Sequence, residues 1–433
     1  MNRINFLQEL VPSLRISNWA PLMFGRKPAA DSASLTALCE LIMQSDGEYS
    51  SMALAEQLLD AFESANEQEQ QAFFTLLSEQ FGLDCGRLQL ALDEYRAHRS
   101  ADHLAALTQV AQPVRRELLR RLNQVPAGTP RLVRMREQLQ KHSRQQPELA
   151  TIDVDFRASF NEWFNRGFLV LQAIDWTTPA HILEKIIAYE AVHEISNWRE
   201  LRARLQPADR FCFGFFHPAM QDEPLVFVAV ALTRDIPAHL PQILGDERDV
   251  ISPEEAQCAV FYSISNCHRG LQGVSFGNFL IKHVARRLLQ QFPQLKTFAT
   301  LSPAPGFRAW LSAQQNANQE IAELLQVTND ASQNILEQAQ LECLQKQAAR
   351  YFLSTNTADG YPNDPVARFH LRNGAQLHRL NPNANLTEKG MQQSLGLMVN
   401  YVYDLDKVEQ LHEQYVHEKR IACHADIKNL ASA

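Results

Sequence analysis

The chain has 433 residues, 45% of them hydrophobic, enough for two or three domains that each bury a core. With 41 basic and 49 acidic residues its formal charge is −8, which argues against a nucleic-acid or membrane-surface binder, because either needs a clustered basic excess. Seven cysteines (Cys39, Cys85, Cys212, Cys258, Cys267, Cys343 and Cys423) lie scattered without CxxC spacing, as in a reducing compartment. No apolar run approaches the roughly 18 residues of a membrane-spanning helix. The opening MNRINFLQELVPSL reads as an ordinary first helix around Glu9, and the ending NLASA carries no peroxisomal address. The expected location is cytoplasmic.

From Ser32 to about Arg144, Leu35, Leu38, Leu41 and Ile42, then Phe73, Leu76, Leu77 and Phe81, recur at helical spacing and predict helices packed on helices. Breaks fall at Ser45–Gly47, Gly82–Gly86 and Pro126–Pro130. The basic run from Arg131 to Arg144 reads as a solvated helix face. After Pro147 an aromatic-rich stretch follows, with Phe160, Trp163, Phe164, Phe168 and Trp176, and marks a domain junction. A helix is expected from Pro179 to about Val192. Strands are expected at Phe211–Phe216 and Leu225–Leu232, around a turn at His217–Pro224.

The centre of the chain reads as strand, glycine loop, helix. The apolar run Ala259–Ile264 leads into Gly270, Gly273 and Gly277, and then Leu280, Ile281, Val284 and Leu288 repeat at helical spacing. Glycines there suit either a tight turn or close approach to a ligand, and a helix N-terminus offers free N–H groups to a phosphate. Arg269 and Lys282 are candidate phosphate partners or solvated charges. A second apolar run, Phe298–Leu301, stops at Ser302 and the Pro-rich turn SPAPGF, leaving a hydroxyl at a strand end. Helices follow at Phe307–Leu311, Gln319–Val327 and Ala331 to about Leu353, the last with Ile335, Leu336, Leu341 and Leu344 facing inward. The polar stretch Thr355–Pro365 is a candidate lid. Strands are expected at Ala367–Leu371, Gln376–Leu380 and Gly396–Tyr403, before an amphipathic helix from Asp404 to about Leu430. His412, His417 and His424 have no metal-ligand spacing. Cys267 and His268 are adjacent, so their side chains point apart rather than pairing as nucleophile and base.

Five strings then carry a resemblance. FHPAMQDEPLVFVAVALT (Phe216–Thr233), SNCHRGLQGVSFGNFLIKHV (Ser265–Val284), FATLSPAPGF (Phe298–Phe307), RFHLRNGA (Arg368–Ala375) and SLGLMVNYVYDL (Ser394–Leu405) resemble the malonyl-CoA decarboxylase family, in the same order. The N-terminal helices resemble it in character. What the resemblance implies is an α+β two-domain protein. Residues 1–165 would form an all-α helical bundle that assembles a homo-oligomer, dimer or tetramer. Residues 166–433 would form a GNAT-like α/β acyl-CoA-binding catalytic domain, with coenzyme A in the gap of a splayed mixed sheet. The family's ligand segment falls on Gln272, Gly273, Val274, Ser275, Phe276, Gly277 and Asn278. Its catalytic serine, a proton acceptor, falls on Ser302, and its catalytic histidine on His370. Arg368, Arg372 and Asn373 flank that histidine and would hold the malonyl carboxylate or orient the ring. Departures are a missing eukaryotic C-terminal tripeptide and a shorter Ser302–His370 interval.

The implied reaction takes malonyl-CoA to acetyl-CoA and CO2 through a thioester enolate protonated at the α-carbon. No cofactor is expected, because the thioester is itself the electron sink. A positioned imidazole suits the proton delivery. On the residues alone, a serine after a strand is a turn residue and a histidine between Phe369 and Leu371 is a core group; the strings favour catalysis for both. Two rivals keep the ligand: a GNAT-type N-acyltransferase, and a non-catalytic malonyl-CoA-binding regulator.

Overall fold

The computed structural model describes residues 32–45, 47–274, 280–314, 319–327, 336–354, 357 and 359–432. It divides into two compact units, Met1–Phe160 and Asn161–Ala433. The first is helical throughout its described length, with helices at Ser32–Gln44, Glu48–Ser64, Glu67–Glu79, Cys85–Ala97, Ala101–Val110, Val114–Leu122, Gly128–His142 and Ala150–Trp163. The start of Glu67–Glu79 is a reciprocal capping box: the Asn66 side chain accepts from the Gln68 and Glu69 N–H groups, and the Glu69 carboxylate accepts from the Asn66 N–H. Phe62, Phe73 and Phe74 interlock with ring centroids 5.3 to 5.9 Å apart.

The basic run differs from its expected solvated face. Arg136 shares a helix face with Leu132 and Leu139, and all three are buried. A buried guanidinium needs a partner, so Arg136 donates to Asp153 at 2.7 Å and lies over the Phe160 ring at 5.9 Å. Arg131 is paired as well, 2.7 Å from Asp60 and 2.8 Å from Glu63.

The second unit is built on an eight-stranded sheet: β1 (Val170–Ile174), β2 (Arg210–Phe216), β3 (Pro224–Thr233), β4 (Cys258–Asn266), β5 (Thr297–Thr300), β6 (Ser302–Pro303), β7 (Gln376–Asn381) and β8 (Met398–Tyr403). β1 to β4 run antiparallel in sequence order, β4 and β5 pair in parallel, and β8 runs antiparallel to β5, β6 and β7. Only Cys258–Phe261 of β4 pairs with β5, followed by one contact from the Leu301 N–H to the Phe261 carbonyl at 3.3 Å. β4 then continues to Asn266 with no strand on that side among the described residues. A register shift opposite Ala229 and Val230 skips Tyr262, and a bulge of this kind bends the strand away. On the other arm β5 runs on into β6 in unchanged register against β8, with Phe298 opposite Tyr403 and Ser302 opposite Val399. The mixed sheet therefore forks just beyond Phe261 and Thr300, the splay that the resemblance implied.

Several expectations needed correction. Ala367–Leu371 is not a strand but part of the helix Pro365–Arg372: Asp364 caps it by accepting from the Ala367 N–H, Pro365 opens it, and Ala367, His370 and Leu371 bury one side at helical spacing. The tail helix is two, Val408–Glu418 and Ala425–Ser432, because Lys419 turns left-handed at φ 56° and the chain beyond it pairs with β7. There the Leu377 N–H donates to Ala422 at 2.9 Å and Leu377 accepts from the His424 N–H at 2.8 Å. β1 and the helix Trp198–Leu205 had no expected counterpart. Part of the candidate lid (355, 356 and 358) and Ile335 lie outside the described residues; Tyr361, later in that stretch, packs on Tyr415. Among the described residues no helix is long and apolar enough to cross a membrane, and no cluster of three or more His, Cys, Asp or Glu side chains is placed to hold a metal.

Candidate active site

Ser302 and His370, 68 residues apart in sequence, meet at the fork: Ser302 Oγ lies 3.0 Å from His370 Nε2. Ser302 is held by strand geometry. Residues two apart in an extended chain share a face, so its Oγ reaches back to Thr300 Oγ1 at 2.9 Å. His370 is held by its helix and by β8. Its Nδ1 lies 2.8 Å from Tyr403 Oη, and its ring stacks on Tyr401 with centroids 4.5 Å apart. Tyr401 and Tyr403 are themselves two apart on β8 and share a face. The result is a buried chain of hydroxyl, imidazole and phenol, with Ser302, His370 and Tyr403 each no more than 5% exposed.

Burial decides the charge state of this chain. It lowers the His370 pKa to about 3, so the ring is neutral, and raises the Tyr403 phenol well above its ordinary value. Neither group is ionised at neutral pH.

Asp364 ties the two halves of the site together. Fully buried, it accepts from the Ala367 N–H at 2.8 Å, from Tyr351 Oη at 3.1 Å, and from the Gly306 N–H of the turn that follows Ser302. Gly306 leaves room for the phenol, since a Cβ there would meet Tyr351 Oη at 2.6 Å. One carboxylate thus anchors both the helix that carries His370 and the turn that carries Ser302. Desolvation pushes its pKa up to about 6.

Of the expected ligand segment, Gln272 and Gly273 are exposed and Val274 is buried; Gly273 turns the chain at φ 77°. Ser275, Phe276, Gly277 and Asn278 lie outside the described residues. Lys282 forms an ion pair with Glu409. Arg368 and Arg372, two residues to either side of His370, fall on the opposite half of the helix. Arg368 donates to the Pro362 carbonyl at 2.5 Å and to Asp359 at 3.1 Å, whereas Arg372 is exposed. Asn373 closes the helix, its amide on the Phe369 carbonyl at 2.8 Å. Burial raises the Cys267 thiol pKa well above its usual range, so it is no thiolate nucleophile. The sequence reading missed Thr300, Asp364, Tyr401 and Tyr403, although the spacing of two between Thr300 and Ser302, and between Tyr401 and Tyr403, was visible.

A buried hydroxyl, imidazole and phenol in contact are groups suited to proton transfer, set in a two-domain α+β protein. Comparison with known proteins sharpens that class. The model of the malonyl-CoA decarboxylase C-terminal domain matches residues 167–433, and that of the N-terminal domain matches residues 81–164. The mitochondrial malonyl-CoA decarboxylase of Anser anser anser is 32% identical over 396 residues, 82% of this chain and 78% of that protein. Crystal structures of malonyl-CoA decarboxylase from Rhodopseudomonas palustris and Agrobacterium vitis superpose with TM-scores of 0.87 and 0.85 at 46% and 48% identity, each covering 92% of this chain and 99% of the other. The chain belongs to the malonyl-CoA decarboxylase family, carboxy-lyases that release CO2 from malonyl-CoA and leave acetyl-CoA.

Proposed function

We propose that decarboxylation occurs at the sheet fork, with His370 as the proton donor and Ser302 and Tyr403 as its hydrogen-bond partners. Loss of CO2 leaves the C–C bonding pair on the α-carbon, delocalised into the thioester as an enolate. An enolate is basic enough to take a proton from a neutral imidazole, so burial of His370 suits the reaction. The ring gives up one N–H proton to the α-carbon, Tyr403 compensates the charge left behind, and one solvent proton per turnover restores the pair. The observation that carries this reading is the 3.0 Å contact between Ser302 Oγ and His370 Nε2.

The thioester's nucleotide end is assigned to the loop Gln272–Asn278, supported by the turn at Gly273 leading toward the helix Leu280–Gln291. Arg368 and Asn373 serve to orient the His370 helix, given the contacts they make at its start and end. Residues 1–165 are read as the assembly module of a homo-oligomer, dimer or tetramer, and 166–433 as the catalytic module. The seven free thiols suit a cytoplasmic protein.

Malonyl-CoA supplied without an acceptor should yield CO2 and acetyl-CoA. Ser302→Ala and His370→Asn should each lower kcat by about 10²–10⁴-fold, the range of a positioned proton donor. Near-normal turnover by either variant removes that residue from the mechanism.

A further inference from the structure

We propose that Thr300 is a positioning residue that sets the direction of hydrogen bonding along the chain, so that His370 carries its proton on Nε2, facing Ser302, rather than on Nδ1. The inference rests on the reading of Ser302 and His370 as the reacting pair. Thr300 has no exposed surface and is held at both ends. Its carbonyl accepts from Asn400 Nδ2 at 2.7 Å, and Asn400 is itself fixed by Arg379 at 3.0 Å and Asn381 at 2.8 Å. Its Oγ1 accepts from the Tyr401 N–H at 3.2 Å and from the Ser302 hydroxyl at 2.9 Å.

The consequence follows from counting protons. A serine hydroxyl has one proton, and Ser302 spends it on Thr300. Toward His370 it can only accept, so the hydrogen at the 3.0 Å contact comes from Nε2. A neutral imidazole has a single N–H, which leaves Nδ1 bare to accept from Tyr403 Oη–H at 2.8 Å. The order is the reverse of a hydrolase triad, in which the hydroxyl donates to the ring and becomes a nucleophile. Here the ring is the acid, its mobile proton faces the fork, and Ser302 has no base to activate it for attack on the thioester. Burial that keeps the ring neutral agrees with this order.

The test is nitrogen NMR on protein labelled with ¹⁵N-histidine, the His370 signals being picked out from the 14 histidines by their loss in His370→Asn. The wild-type protein should show the Nε2–H tautomer; an Nδ1–H tautomer overturns the proposal with no variant needed. Thr300→Val frees the Ser302 proton for Nε2, so the tautomer should move to Nδ1–H and kcat should fall by about 10²-fold at little-changed KM, the low end of what a positioned acid supplies. Thr300→Ser should restore both. A Thr300→Val protein with wild-type tautomer and kcat also overturns the proposal. Should Ser302→Ala and His370→Asn keep their turnover, the active-site reading falls, while the tautomer of His370 still decides the hydrogen-bond order.

Discussion

Asp364 offers a sharp test of how the site is held. Its pKa stands at about 6 in the fold against 3.8 for a free carboxyl, so the folded state binds this proton more tightly than the unfolded chain does. Stability from this group is therefore fully present below about pH 4 and is lost as pH rises toward 6. The loss is roughly two pH units at 1.36 kcal/mol each, about 3 kcal/mol between pH 4 and pH 7. Asp364→Asn cannot ionise and has no such slope. Urea unfolding of both proteins at intervals from pH 4 to pH 7 isolates the term, because every other titrating group is common to the pair. Wild-type stability minus variant stability should fall by about 3 kcal/mol across that range. A difference that stays constant, or rises, would refute both the buried-carboxylate argument and the role of Asp364 as an anchor under strain at neutral pH.

Other consequences are as direct. Tyr403→Phe leaves His370 Nδ1 buried without its 2.8 Å partner, and should cost about 1–3 kcal/mol of barrier, roughly ten- to hundredfold in kcat, in steady-state assays; unchanged turnover would reduce Tyr403 to packing. Gly374→Ala, just past the end of the His370 helix, should destabilise by well over about 1 kcal/mol in a thermal melt, because φ is +79° and the new Cβ would collide with the Val408 carbonyl oxygen at the start of the next helix. In the helical unit, Arg136→Ala removes a side chain that is 1% exposed and leaves Asp153 with only Arg157, and should lower that unit's stability by about 1–3 kcal/mol. An effect near zero would mean the guanidinium is solvated after all.

Element by element, the reach of local pattern is clear. Apolar runs bounded by turns marked β2, β3, β4 and β8, and helical spacing of apolar residues marked the N-terminal helices, because strand and helix periodicity are short-range properties. Ala367–Leu371 misled for the same reason: its apolar residues suit a strand, but Asp364 and Pro365 just upstream are a cap and a first-turn residue, and that local signal was the decisive one. Arg136 shows the opposite failure, since nothing nearby in the chain announces that Asp153 and Phe160 will enclose it.

What the amino-acid order determined by itself was the inventory: a helical half, a sheet half, a glycine turn, a hydroxyl at a strand end and a histidine beside arginines. What only the tertiary structure decided was which of these meet. The fork opens because β4 bulges at Tyr262 while β5 and β6 stay paired with β8, and the fold brings Ser302 to an imidazole from a distant helix, itself in contact with a phenol from β8. Burial, which comes only with the assembled fold, then keeps the histidine uncharged. Proton direction is an outcome of contacts among Thr300, Ser302, His370 and Tyr403, and contacts between distant segments leave no mark on local spacing.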